Sequence, residues 1–142
     1  MLVDNDPTRG QDSFRDLLDC EGIFICVPSP QGDDGSCDTS ILESVLDCLQ
    51  NYKGVIISKC TVPPKKYEEL NNLYPNLVYV PEFLTAANAK NDYLNPHKIV
   101  IGCRPELHEQ VADVILNSNV VFSRDNIEYC SIAEASYFKY MC

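Results

Sequence analysis

The chain has 142 residues, 45% of them hydrophobic, a length and composition that fit one domain with a real core. Its formal net charge of -10 excludes an extended nucleic-acid surface, since little here could neutralise a phosphate backbone. The longest apolar run, near residues 23–28, is far shorter than a bilayer span, and no signal peptide opens the chain, so no membrane role is expected.

Residues 1–13 read as a polar lead-in, and 14–20 as a short helix. Residues 23–27 (IFICV) are a continuous apolar run of strand length, the kind buried on both faces of a parallel sheet. A loop dense in turn residues follows. Residues 40–50 have Ile41, Leu42, Val45, Leu46 and Leu49 at helical spacing, with Ser40 and Glu43 as a capping box. Residues 55–58 (VIIS) form a second strand. Pro64 then stands near the start of a helix through KKYEELNNLY. Residues 77–80 are a third strand, 85–97 are irregular or weakly helical, and 98–103 (KIVIGC) are a fourth strand. A helix over 106–117 precedes a short fifth strand at 120–122. A last helix begins near Tyr129, with Ser131 and Glu134 as another capping box.

Alternating strands and helices predict an α/β fold with a mainly parallel sheet. Ligands bind such sheets outside the carboxyl ends of the strands. That directs attention to residues 28–30, 59–62, 82–84 and Gly102. Pro28 and Pro30 stiffen the backbone around Ser29, either as a plain turn or to hold a hydroxyl against a ligand. Thr61 suits a helix cap or a group that orients water. Glu82, beside Phe83 and Leu84, suits a general base; a surface or salt-bridged glutamate fits the same spacing. The eight cysteines form no C-x-x-C pair and only two histidines exist, so no zinc site is expected. Reduced thiols and a cytoplasmic location are the expectation. No G-x-G-x-x-G or G-x-S-x-G occurs.

In chain order, FICVPSP (24–30), KCTVPP (59–64), and PEFL with the spaced N-P and KIVIG (81–102) resemble segments of the UDP-glucose/GDP-mannose dehydrogenase family. Lys139 and Tyr140 resemble the start of that family's K-Y/L-x-x-N motif. The resemblance covers roughly residues 14–142. It implies a partial Rossmann-like NAD-binding domain over 14–126, with 127–142 as the start of a long central helix. It implies NAD as cofactor and a nucleotide sugar such as UDP-glucose as substrate. The sugar C6 alcohol is oxidised to a carboxylate in two hydride transfers linked by a thioester. On this resemblance Thr61 helps hold the catalytic water, Glu82 is its acid/base, and Lys139 stabilises developing oxyanion charge. Val27, Pro28, Ser29 and Thr61 would contact the cofactor. Glu82, Phe83, Leu84 and Lys139 would contact substrate.

The chain also departs from the pattern. The glycine-rich loop and its acidic ribose partner are missing, Ala86 and Ala87 replace a usual Glu-Gly, and Cys60 replaces a serine. The asparagine that should follow the Lys139 motif and the nucleophilic cysteine are also absent, and Glu134 lies farther from Lys139 than is usual. Three readings follow: part of a nucleotide-sugar dehydrogenase inactive alone, a non-catalytic binding protein derived from that domain, or a divergent complete enzyme. A homodimer or a complementing chain is the expected protein partner.

Overall fold

The computed structural model describes residues 3–4, 8–10, 12–85, 87–96, 98–118 and 123–141. Its helices are α1 (Phe14–Leu17), α2 (Ser40–Cys48), α3 (Pro64–Leu73), α4 (Ala89–Leu94), α5 (His108–Leu116) and α6 (Ile132–Met141). Its strands are β1 (Gly22–Ile25), β2 (Val55–Ser58), β3 (Leu77–Tyr79), β4 (Ile99–Gly102) and β5 (Ile127–Cys130). They form one five-stranded sheet in chain order. β1, β2 and β3 are parallel, with Phe24 beside Ile57 and Ile57 beside Val78. β4 meets β3 antiparallel through the pair Tyr79–Gly102, and β5 runs parallel to β4. The result is the mainly parallel, Rossmann-like α/β sheet that the alternation implies.

β2 and β3 are buried at every position because helices cover both faces of the sheet. On one face Ile23, Ile25, Ile56 and Leu77 pack with Leu42 and Leu46 of α2, Tyr67 and Leu70 of α3, and Ala135 of α6. On the other, Val55, Ile57, Val78 and Ile101 pack with Val111, Ala112 and Ile115 of α5. Alternate strand residues serve opposite cores, as the two-residue strand period requires.

Several boundaries differ from the sequence reading. α2 is capped by Thr39, whose hydroxyl donates to Glu43, so Ser40 is the first helical residue and not the cap. The helix expected over 106–117 opens as a 3-10 turn, Pro105–Leu107, and becomes α-helical at His108. The strand expected at 120–122 lies outside the described residues. The strand beside β4 is Ile127–Cys130, where the sequence reading began the last helix. The helix starts only at its cap: Ser131 N and Oγ donate to Glu134 Oε2 at 2.8 and 2.7 Å. The 85–97 segment contains the short α4, tied back by Thr85 N and Oγ1 donating to Asp92 Oδ2.

Gly102 was expected as a ligand-side strand end, but it serves packing. A Cβ there would sit 2.6 Å from the Ala135 Cβ and 2.9 Å from the Ile132 Cα, so the missing side chain is what lets α6 lie on β4. Gly102→Ala should therefore destabilise the fold by about 1–3 kcal/mol in urea unfolding; an unchanged midpoint would refute this role.

The neighbouring thiols predict a pH effect. Burial pushes the Cys103 thiol up to about 12 and the Cys130 thiol up to about 11, from an ordinary 9.0. Folded values above unfolded ones mean stability that is fully present below pH 9 and lost as pH rises through those values. The urea midpoint should fall between pH 9 and 11, and fall less in Cys103→Ala.

Candidate functional site

The carboxyl ends of β1, β2 and β3 gather at one edge of the sheet, and a buried tyrosine organises the middle one. Tyr67 OH donates to the Cys60 carbonyl at 2.6 Å, Ser58 Oγ lies 2.8 Å from the same hydroxyl, and Cys60 N donates to Ser58 Oγ at 3.3 Å. If Ser58 donates to Tyr67, the three bonds close a ring in which every donor is used. The Tyr67 ring also stacks on Tyr79, centroids 4.5 Å apart. Burial raises the Tyr67 phenol far above its ordinary value, so it stays protonated as a donor.

The turn after β2 is held from its other side by the turn after β1. Ser29 Oγ donates to the Thr61 carbonyl at 2.9 Å, and the Cys37 thiol points at the same oxygen from 3.5 Å. Cys60 is buried, with its thiol donating to the Val27 carbonyl at 3.1 Å, and burial pushes its pKa up. It is a small core residue. Thr61 does not cap α3, whose N-cap is Pro63. Its side chain lies close enough to the Tyr79 phenol to oppose the rise in pKa that burial causes there. Ser136 Oγ of α6 donates to the Val62 carbonyl at 2.6 Å, completing the anchorage of this turn.

Glu82 lies past the end of β3, where two lysines meet it. Lys139 Nζ donates to the Glu82 carbonyl oxygen at 2.6 Å and stands 5.9 Å from the centre of the Phe83 ring. Lys59 Nζ is 3.3 Å from Glu82 Oε1. Glu82, Phe83 and Leu84 line a cleft of about 510 Å³ together with Phe24, Lys59 and Tyr93. That volume is in the range of small-molecule sites.

Of the residues singled out by sequence, the structure joins Ser29 to Thr61 and Lys139 to Glu82. Tyr79 is close enough to both Thr61 and Glu82 for each to influence its phenol. Ser29, Thr61 and Lys139 do not line the Glu82 cleft. The salt-bridged reading of Glu82 is realised, through Lys59. The sequence reading placed Lys59 at a strand end but gave no role to it or to Tyr67. Strand parity could have found Lys59: Ser58 pairs with Tyr79, so Lys59 follows on the face of Val80 and, two residues on, of Glu82. Among the described residues, no cluster of His, Cys, Asp or Glu is placed to hold a metal ion, and no helix is long and apolar enough to cross a membrane.

A mainly parallel α/β sheet with polar groups gathered at its carboxyl edge is a domain of the Rossmann-like class. The chain belongs to the UDP-glucose/GDP-mannose dehydrogenase family: the model of that family's NAD binding domain matches residues 8–120. The putative UDP-glucose 6-dehydrogenase YtcA of Bacillus subtilis (strain 168) is 41% identical over 112 residues, covering 69% of this chain and 26% of the relative. A UDP-D-ManNAc dehydrogenase from Pyrococcus horikoshii shares the fold with TM-score 0.73 and 21% identity, over 92% of this chain and 34% of the other. A UDP-glucose dehydrogenase from the archaeon Pyrobaculum islandicum gives TM-score 0.70 and 23% identity, over 88% and 32%. The chain thus spans about a quarter to a third of the length of these proteins.

Removing one hydroxyl tests the knot at the end of β2. Tyr67→Phe leaves the buried Cys60 carbonyl and Ser58 hydroxyl short of a partner, a loss of about 1–3 kcal/mol in urea unfolding. The Thr61 amide resonance should shift with it; a loss under about 0.5 kcal/mol with Thr61 unmoved would show that the knot does not hold the turn.

Proposed function

We propose that this chain carries the acid–base part of the catalytic site of an NAD-dependent nucleotide-sugar dehydrogenase of the UDP-glucose 6-dehydrogenase type. Such an enzyme oxidises the sugar C6 alcohol to a carboxylate. The observation that carries the reading is the Lys139–Glu82 contact. It brings α6 to the PEFL turn and holds the Lys139 ammonium on the Glu82 main-chain carbonyl, within 5.9 Å of the Phe83 ring centre.

In this reading Glu82 takes a proton from a water in the cleft that it lines. That water adds to the carbonyl carbon of the thioester formed on a cysteine from outside this chain, the C–S bond breaks, the thiol leaves with a proton, and the water oxygen becomes the second oxygen of the product carboxylate. Lys139 stabilises negative charge as it develops on the sugar oxygen. Phe83 and Leu84, 40% and 37% exposed, offer apolar surface to the substrate. NAD, when bound, supplies the hydride acceptor.

The residues present fit one end of that cofactor. Val27, Pro28 and Ser29 form a stiff turn beside Thr61, and Ser29 keeps acceptor lone pairs after donating to the Thr61 carbonyl. No two glycines in the chain stand in G-x-G spacing, so the sequence holds no glycine-rich pyrophosphate cradle. Weak cofactor binding and no turnover by this chain alone follow from the reading, as does work in the cytoplasm on a nucleotide sugar.

Two measurements test it. Millimolar NAD or UDP-glucose should shift the amide resonances of Ser29, Thr61 and residues 82–84 in the isotope-labelled chain. Shifts scattered elsewhere, or none, would count against the reading. A chimera carrying the matching segment of this chain within the Bacillus relative should produce NADH from UDP-glucose. Glu82→Gln in that chimera should lower kcat by about 10²–10⁴-fold; a loss under threefold would remove Glu82 from the acid/base role.

A further inference from the structure

Lys59 has no role in the dehydrogenase reading, yet its side chain is less exposed than those of Glu82 and Lys98 in the same cleft. It follows directly on the fully buried β2, and its side chain is only 16% exposed. Burial pulls its ammonium below the ordinary lysine range, and the Glu82 carboxylate pulls it back up. A desolvated cation of this kind persists when a partner is fixed against it. The backbone fixes both partners. Lys59 N donates to the Ile25 carbonyl at 2.9 Å, and Val80 N donates to the Ser58 carbonyl at 3.1 Å. The two side chains therefore leave neighbouring parallel strands on one face of the sheet.

The other charged groups lining the cleft are engaged elsewhere. Asp92 accepts from Thr85, and Lys98 pairs with Glu128. Cys26 is the further titratable group close enough to influence Lys59, and burial holds its thiol in the protonated form. Glu82 is thus gripped twice. Lys139 holds its main-chain carbonyl, and Lys59 holds one carboxylate oxygen. The side chain of Glu82 remains 38% exposed, which opens the rest of the carboxylate to the cleft.

We infer that Lys59 is the positioning residue of Glu82: by anchoring Oε1 it fixes the direction in which the carboxylate meets the cleft. The inference rests on the reading of Glu82 as the acid/base group, but its first test needs no ligand. In the ligand-free chain, nitrogen-15 NMR of lysine side chains should show a slowly exchanging ammonium signal that vanishes in Lys59→Met. The same signal should shift in Glu82→Gln, a change at a half-exposed site that leaves the fold intact. The Glu82 side-chain carboxyl carbon should move in Lys59→Met and return in Lys59→Arg. An identical Lys59 signal in wild type and Glu82→Gln would overturn the inference, whether or not Lys59→Met folds. An unmoved Glu82 carboxyl carbon in folded Lys59→Met would overturn it too.

In the Bacillus chimera, Lys59→Met should lower kcat by about 10²-fold with KM little changed, and Lys59→Arg should restore most of it. If the NMR pair is present while the chimera ignores Glu82→Gln, the dehydrogenase reading fails and the ion pair stands. If Glu82→Gln abolishes activity while Lys59→Met does not lower kcat, the reading stands and the positioning role fails.

Discussion

A single buried hydroxyl, that of Tyr67, sets the geometry on which the site depends. The backbone must leave β2 and turn before α3 begins, inside a region with no solvent to satisfy its polar groups. Tyr67 solves that by accepting Ser58 as a partner and donating to the Cys60 carbonyl. With the turn pinned at Cys60, its neighbours are committed to opposite sides. Lys59 goes toward the α5 face of the sheet, and Thr61 lies near the Tyr79 phenol. Ser29 and Ser136 then secure the carbonyls that follow. Unmade hydrogen bonds in such a place are expensive, which is why so many of the polar side chains here serve the backbone.

The charges at the site follow from that scaffold. Glu82 stands between an ammonium from the turn after β2 and an ammonium from α6, segments separated widely in sequence. Neither contact alone defines the carboxylate, since one touches the side chain and the other the main chain. Together they make the strand end a shaped electrostatic feature in a chain whose overall charge is negative.

Much of this was legible in the sequence. The apolar runs VIIS and LVYV announce strands covered on both sides, and Ser131 with Glu134 marks the true start of α6. The segments around Ser29, Thr61 and Glu82 were legible as the turns that follow β1, β2 and β3. Other features were not legible because they depend on pairings between distant segments. Ile127–Cys130 reads as ambiguous polar-apolar sequence until β4 lies beside it. Thr39 and Ser40 are both competent caps, and the choice is made by where the chain enters the helix. Lys59 reads as the ordinary polar end of a strand. Its importance appears only when the register of β2 and β3 places it on the side of Glu82.

The sheet is built as two parallel blocks, β1–β3 and β4–β5, that meet through the single pair Tyr79–Gly102. The cleft straddles this seam: Lys59, Val80 and Glu82 stand on one block, and Ile99 and Ile115 on the other side. A seam with so few cross-strand bonds is the weakest line in the sheet, so separation there requires less disruption than within either block. α6 crosses it, touching Gly102 through Ala135 and the Val62 carbonyl through Ser136. Mechanically, then, α6 is a clasp. The same helix that supplies Lys139 thus also spans the junction that the cleft straddles.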